Sequence, residues 1–345
     1  MSMVNAGALW KVASGGNPLA RIRATRDGLA AVRVNVGAAA VHTGLLDVLA
    51  GGDATTEELA RELGAVDEAL LLAFLRVTVS VGLLSRGEDR PWHLTARGRA
   101  LVDDDVVRAG YEAFAGLHTA PYRQTAAMLG GGPRCRDMAD QGPLIARLSA
   151  AMEPLVMHEL TRTVRERRPL RVLDIGCGAG LELAAMLDAA PEAQGVGVDL
   201  DEGAAALAGR TLHERGLTGR ATVLQADVRQ PAGGRTGPLA DTFDFALLAN
   251  VIYYLPMAER VPLLREIAGL LAPEGVLFLV STVATRQFFS RHLDLLLRCQ
   301  GDGHMAITDV AGLVGQLTEA GFRADTPRAV APGAPVVTVT ATVPG

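Results

Sequence analysis

Apolar positions along the first third of the chain recur at helical spacing. Over residues 19–49 the apolar set Leu29, Val32, Val34, Val41, Leu45, Leu46 and Leu49 predicts one long helix, which Gly51-Gly52 stops. Over 53–64, Thr55 or Thr56 can N-cap a short helix with acidic residues in its first turn, and Gly64 ends it. A second helix is predicted over 67–81. The segments Gly82-Leu-Leu-Ser and Trp92-His-Leu-Thr flank a charged turn over 86–90, as the arms of a hairpin do. Helix, turn, helix and hairpin read together as a small winged-helix unit. Beyond it, connecting helices are predicted over 105–129, interrupted near Pro121, and over 144–167, with Pro154 as a start or kink.

From Pro169 the texture changes. Short apolar runs alternate with helical stretches, the pattern of a parallel sheet. Strands are predicted at 171–175, 195–199, 221–226, 243–249 and 275–282. Helices fall near 181–189, 202–215, 258–271 and 286–298, with another after Thr308 that ends at Gly321. The alternating tail 336–343 reads as a terminal strand. The fold class is therefore α/β, a doubly wound sheet preceded by a mainly helical domain. The divisions are 1–103, 104–168 and 169–345.

Composition narrows the function classes. With 345 residues, 49% hydrophobic content and 21% charge, the chain suits two or three globular domains. No apolar run reaches the ~18 residues of a membrane span. Residues 1–16 lack the basic start and apolar core of a signal peptide. Cys135, Cys177 and Cys299 are odd in number and scattered, which predicts a reduced, cytoplasmic setting and no metal spacing. The net charge of −5 argues against a nucleic-acid footprint. So does the helix over 67–81, which is rich in leucine and carries the single cation Arg76. That helix is expected to be buried, in the core or in a dimer.

The chemistry concentrates in Val172-Leu-Asp-Ile-Gly-Cys-Gly-Ala-Gly180. An apolar strand ends at Asp174 and turns on Gly176, Gly178 and Gly180, where side chains would block a ligand's approach. Asp174 adds an acceptor, which favours a nucleoside over a triphosphate. A dinucleotide turn needs Gly-x-Gly-x-x-Gly, and its third place here is Leu181. Asp199 ends the second strand, where a carboxylate can accept both ribose hydroxyls. Asp227 ends the third, where one can accept an adenine amino group.

These residues resemble the class I S-adenosylmethionine-dependent methyltransferases from Pro169 onward. The resemblance implies that the Asp174–Gly180 loop wraps the methionine part of the cofactor, that Asp199 holds the ribose and Asp227 the adenine, and that Leu200 and Val228 flank the ring. Asn250, at the end of the fourth strand, joins the expected cofactor contacts. The N-terminal half is similar to small-molecule O-methyltransferases of secondary metabolism in Val41-His-Thr-Gly-Leu-Leu-Asp-Val-Leu-Ala, Thr56-Glu-Glu-Leu-Ala and His93-Leu-Thr-Ala-Arg-Gly. That similarity implies a homodimer with interleaved N-terminal helices.

In plant-type O-methyltransferases a His base follows the fourth strand. The matching position here is Tyr253, followed by Tyr254. A phenol with pKa near 10 is a poor base at neutral pH but a good donor, so the pair is expected to orient the acceptor. His304, in Gly301-Asp-Gly-His-Met305, is the further catalytic candidate; His292, His42 and His118 are others that can face a pocket. Related C-methyltransferases of 2-oxo acids bind a metal near these places, but tyrosines stand where its ligands would be, so no metal is expected. The expectation is O- or C-methylation of a small molecule. The alternatives are use of the cofactor's aminocarboxypropyl arm and a cofactor-sensing winged-helix regulator.

Overall fold

The chain is described by a computed structural model covering residues 16–86, 91–136, 141–229, 237–301 and 305–345. It divides into two units, Met1–Gln124 with Asp137–Ala151, and Thr125–Arg136 with Met152–Gly345.

In the first unit the apolar run over 19–49 forms two helices, Pro18–His42 and Leu45–Ala50, rather than one. Gly44 between them adopts φ 75°, a left-handed conformation that glycine reaches without strain. The helical periodicity continues across the break because Val41, Leu45, Leu46 and Leu49 all enter one core. Thr55 caps helix Thr56–Glu62 in a reciprocal box with Glu58, and Asp67 caps helix Glu68–Ser80. The latter helix buries Leu71, Leu75 and Thr78 but leaves Leu70 and Val79 exposed, so only one face of it is covered in this unit. Strands β1 (Leu84–Arg86) and β2 (Trp92–Leu94) pair antiparallel, and Trp92 Nε1 donates to Thr56 Oγ1 at 3.0 Å. Most of the expected turn between them, 87–90, lies outside the described residues.

Helices Ala96–Asp103, Asp105–Ala115, Ala120–Leu129 and Gly142–Ser149 follow. The interruption expected near Pro121 falls at Gly116. Pro121 sits in the first turn of the next helix, where a missing N–H costs nothing. The predicted helix over 144–167 is likewise two, Gly142–Ser149 and Glu153–Arg167, with Pro154 in the first turn of the second.

The second unit is built on one sheet. Its strands are β3 (Arg171–Ile175), β4 (Gln194–Asp199), β5 (Ala221–Gln225), β6 (Phe243–Ala249), β7 (Leu271–Thr282), β8 (Arg323–Ala324), β9 (Arg328–Ala329) and β10 (Val336–Thr342). They lie in the order β5-β4-β3-β6-β7-β10-β8, with β9 also on β10. Strands β3 to β7 run parallel, and β10 returns antiparallel along β7. Successive residues of a strand point to opposite faces, so Val172 and Leu173 enter separate cores. One core receives helices Glu153–Arg167 and Leu181–Ala189; the other receives Met257–Leu270 and Val310–Glu319. The chain runs outward from β3 through β4 to β5, then returns to β6 on β3's other side. That reversal makes β3 and β6 the switch point of the sheet, and such sheets bind ligands at the carboxyl ends of the strands there. Among the described residues, no helix is long and apolar enough to cross a membrane.

Candidate active site

The turn after β3 is held by its own backbone. The N–H groups of Gly176 and Cys177 donate to Val198 O at 2.7 and 3.1 Å, and Gly180 N–H donates to Cys177 O at 2.7 Å. Gly176, Gly178 and Gly180 have φ of 73°, 50° and 74°, so each favours glycine for conformation alone. Their surroundings differ. A Cβ on Gly176 would stand 2.6 Å from Val251 Cγ2, and one on Gly180 would stand 3.0 Å from Ala208 Cβ. A Cβ on Gly178 would meet nothing within 4 Å. Only Gly178 therefore borders open space; the other two admit close approach of neighbouring protein, not of a ligand.

Three carboxylates act on this turn. Asp174 is buried between β4 and β6, and its Oδ2 has no hydrogen-bond partner. Burial, reinforced by the charges of Glu182 and Asp199, raises its carboxyl well above the usual range. Burial also raises Glu182. It pushes the Cys177 thiol up to about 12, with Asp174 adding to the effect. Glu182 was not among the residues singled out from sequence. Its signal is an acid in the first turn after the third glycine, common enough at helix starts to pass unnoticed. No cation is among the causes of these shifts, so the group favours a ligand that brings positive charge.

Asp199 accepts from Gly178 N at 2.9 Å through Oδ2 and from Asp201 N at 3.0 Å through Oδ1. Helix Glu202–Glu214 is capped by Asp201, not by Asp199. Asp199 is thus held beside the one glycine that faces open space.

Asp227 is held differently. Its Oδ1 accepts from Arg229 N and Nε at 2.9 and 3.0 Å, and its Oδ2 from Nε and Nη2 at 3.1 and 2.7 Å. Arg229 also reaches Glu259 Oε2 at 2.6 Å. The guanidinium holds the Asp227 carboxyl below its usual range. Both oxygens are engaged, so any amino-group contact must share them with Arg229. Leu200 is 63% exposed, a free apolar surface, whereas Val228 is buried in the sheet core.

Asn250 ends β6 with φ 57°, a conformation that asparagine tolerates better than most residues, and its N–H donates to Val280 O at 2.8 Å. The bend sends Val251 over Gly176 and starts the single turn Ile252–Tyr254. Tyr253 is buried and Tyr254 partly exposed, with ring centroids 4.8 Å apart. Burial raises both phenols, Tyr253 well above its ordinary value. Neither can serve as a base near neutral pH.

The histidines are dispersed. His304 lies outside the described residues. His292 is buried beside Phe288 and Phe289, and burial lowers its pKa. In the first unit His118 stacks on Phe114 at 4.5 Å, and His42 lies 3.9 Å from Glu112.

Residues 172–275 match a family model described as a methyltransferase domain. The 3-hydroxy-5-methyl-1-naphthoate 3-O-methyltransferase of Streptomyces sahachiroi is 27% identical over 70% of this chain and 71% of its own length. The N,N-dimethyltransferase OxyT of Streptomyces rimosus is 29% identical over 82% of this chain and 85% of its own. Among solved structures, the mitomycin 7-O-methyltransferase MmcR superposes with a TM-score of 0.76 at 23% identity, covering 94% of this chain and 98% of its own. The O-methyltransferase NcsB1 of neocarzinostatin biosynthesis, solved with S-adenosylmethionine and 2-hydroxy-5-methyl naphthoic acid, superposes at 0.67 with 23% identity, over 90% and 95%.

Proposed function

Because the chain belongs to the class I S-adenosylmethionine-dependent methyltransferases, we propose that it methylates a small aromatic or amine-bearing molecule of secondary metabolism. The observation that carries this reading is the acid group at the glycine turn. Asp174 keeps an unpartnered buried oxygen beside Glu182 and Asp199, and Gly178 borders open space. S-Adenosylmethionine carries an ammonium and a sulfonium, so the residues present fit it. When bound, it supplies an electrophilic methyl group.

In this reading Asp174 and Glu182 balance the cofactor's positive charge, and Asp199 accepts from its ribose hydroxyls. Leu200 and Val228 form the apolar bed of the adenine. Asp227, shared with Arg229, takes the amino group, and Asn250 shapes the entry to the site. The remaining work is to align the acceptor in line and keep water away. Tyr253 and Tyr254 do this as hydrogen-bonding groups. With both phenols raised, the acceptor's proton is either lost before binding, as from an acidic phenol, or passes to His304.

Product analysis tests the reaction. Incubation with S-adenosylmethionine and hydroxynaphthoate or amine acceptors is expected to release S-adenosylhomocysteine. Methylthioadenosine as the sole product would replace methyl transfer with use of the aminocarboxypropyl arm. A pH–rate profile of His304→Gln that matches the wild type would assign the proton to the acceptor's own acidity.

We also propose a homodimer. Helix Pro18–His42 leaves Leu19, Ile22, Leu29 and Val32 at least half exposed. Their spacing places them on one face. Light scattering is expected to give twice the chain mass, and Leu29→Glu with Val32→Glu to give the single mass. A wild-type monomer at micromolar concentration would end this assignment.

A further inference from the structure

A fully buried arginine stands behind the two tyrosines. Arg260 lies in the first turn of helix Met257–Leu270 and is the largest side chain with no exposed surface. A buried guanidinium is costly unless its donors are matched, and a carboxylate is the usual partner. Among the described residues no carboxylate lies at ion-pair distance. Asp294, the acid whose charge acts on it, is engaged by Arg298 Nε at 2.8 Å and by Ile307 N–H at 3.1 Å. Burial and the like charge of Arg298 lower the Arg260 pKa to about 10, so it is still a cation at neutral pH.

Two of its three nitrogens donate to main chain instead, and Nη1 is buried without a partner among the described residues. Nε donates to Leu255 O at 3.1 Å, and Nη2 donates to Tyr253 O at 3.5 Å and to Ala306 O. These carbonyls belong to two segments remote in sequence. Tyr253 and Leu255 belong to the turn after β6, whereas Ala306 follows helix Phe288–Arg298. A leucine or methionine could fill the volume without the cost of a buried charge. What arginine adds is a planar fork of fixed geometry that reaches separate acceptors at once, which a lysine ammonium cannot reproduce.

We propose that Arg260 is a positioning residue, a buried strut that fixes the Tyr253–Tyr254 turn against the Ala306 segment and so sets where the two hydroxyls stand. The functional value of the strut rests on the acceptor-orienting role given to the tyrosines above; its geometry does not.

The chain has four tyrosines, so incorporation of 3-fluorotyrosine into the full-length protein gives four fluorine resonances. Tyr253→Phe and Tyr254→Phe assign the two of interest. In Arg260→Lys and Arg260→Met, the signals of Tyr253 and Tyr254 are expected to shift and broaden, while those of Tyr111 and Tyr122 stay in place. Unmoved Tyr253 and Tyr254 signals in Arg260→Lys would overturn the proposal, as would equal movement of all four. Arg260→Lys carries the test if Arg260→Met does not fold. The spectra need neither cofactor nor acceptor, so they decide on the strut whatever product analysis finds.

Discussion

Asp199→Ala is expected to weaken S-adenosylmethionine binding by about two to four orders of magnitude, since hydrogen bonds to charged groups contribute ~1.5–3 kcal/mol each and two kinds are lost. One is the bond to Gly178 N–H, which fixes the only glycine of the turn that borders open space. The other is the acceptor for the ribose hydroxyls. The helix that follows keeps its cap on Asp201, so the variant should fold and the loss should appear in binding. Asp199→Asn retains an oxygen for Gly178 and should fall between the two. Calorimetric titration checks both, and wild-type affinity in Asp199→Ala would remove this residue from the site.

Asp174→Asn is expected to have opposite effects on folding and binding. In the folded chain the Asp174 carboxyl is raised well above 3.8, so it holds its proton at pH values where the unfolded chain has released it. Folding then takes up a proton, and stability falls as pH rises from the ordinary carboxylate range through the raised value, beyond which the slope vanishes. Asparagine cannot ionise and removes that slope. At neutral pH the cofactor-free variant should be more stable, because it has no proton to take up on folding, and should melt higher. Its cofactor affinity should fall, because the negative charge that favours a cationic ligand is gone. Wild-type binding should strengthen with pH over the same window. Thermal melts from pH 4 to 8 with and without cofactor read both effects. A variant less stable than wild type throughout that range would show that Asp174 supports the fold rather than the site.

Both predictions come from residues legible in the sequence, but their environments were not legible. The strands carrying Asp174 and Asp199 could be read because a doubly buried strand is a short continuous apolar run: β3 falls where that pattern placed it, and β4 begins one residue earlier. Local capping was legible in part: Thr55, one of two candidates, caps its helix together with Glu58, whereas Asp67, the predicted first residue of the next helix, is its cap. The break at Gly44 was missed because apolar periodicity persists across a bend whose two arms face the same core, whereas the interruption expected near Pro121 stands just before it, between Ala115 and Ala120. The helix Glu68–Ser80 was expected to be buried, yet composition does not say which face finds a partner.

The sequence by itself determined the alternation of strands β3 to β7 with helices and the terminal strand β10, though not the short strands β8 and β9, together with the glycine turn and the three acids at successive strand ends. Each follows from side-chain period or from bonds between residues a few positions apart. Tertiary structure alone decided what those residues face. It set Val251 against Gly176 and Ala208 against Gly180, left Gly178 open, brought Glu182 near Asp174, placed Arg229 on Asp227, and put Arg260 behind the tyrosine pair. Residues converging from separate elements leave no periodic trace in the chain, because the distances that make a carboxylate unpaired or a phenol unable to ionise exist only once the sheet has closed.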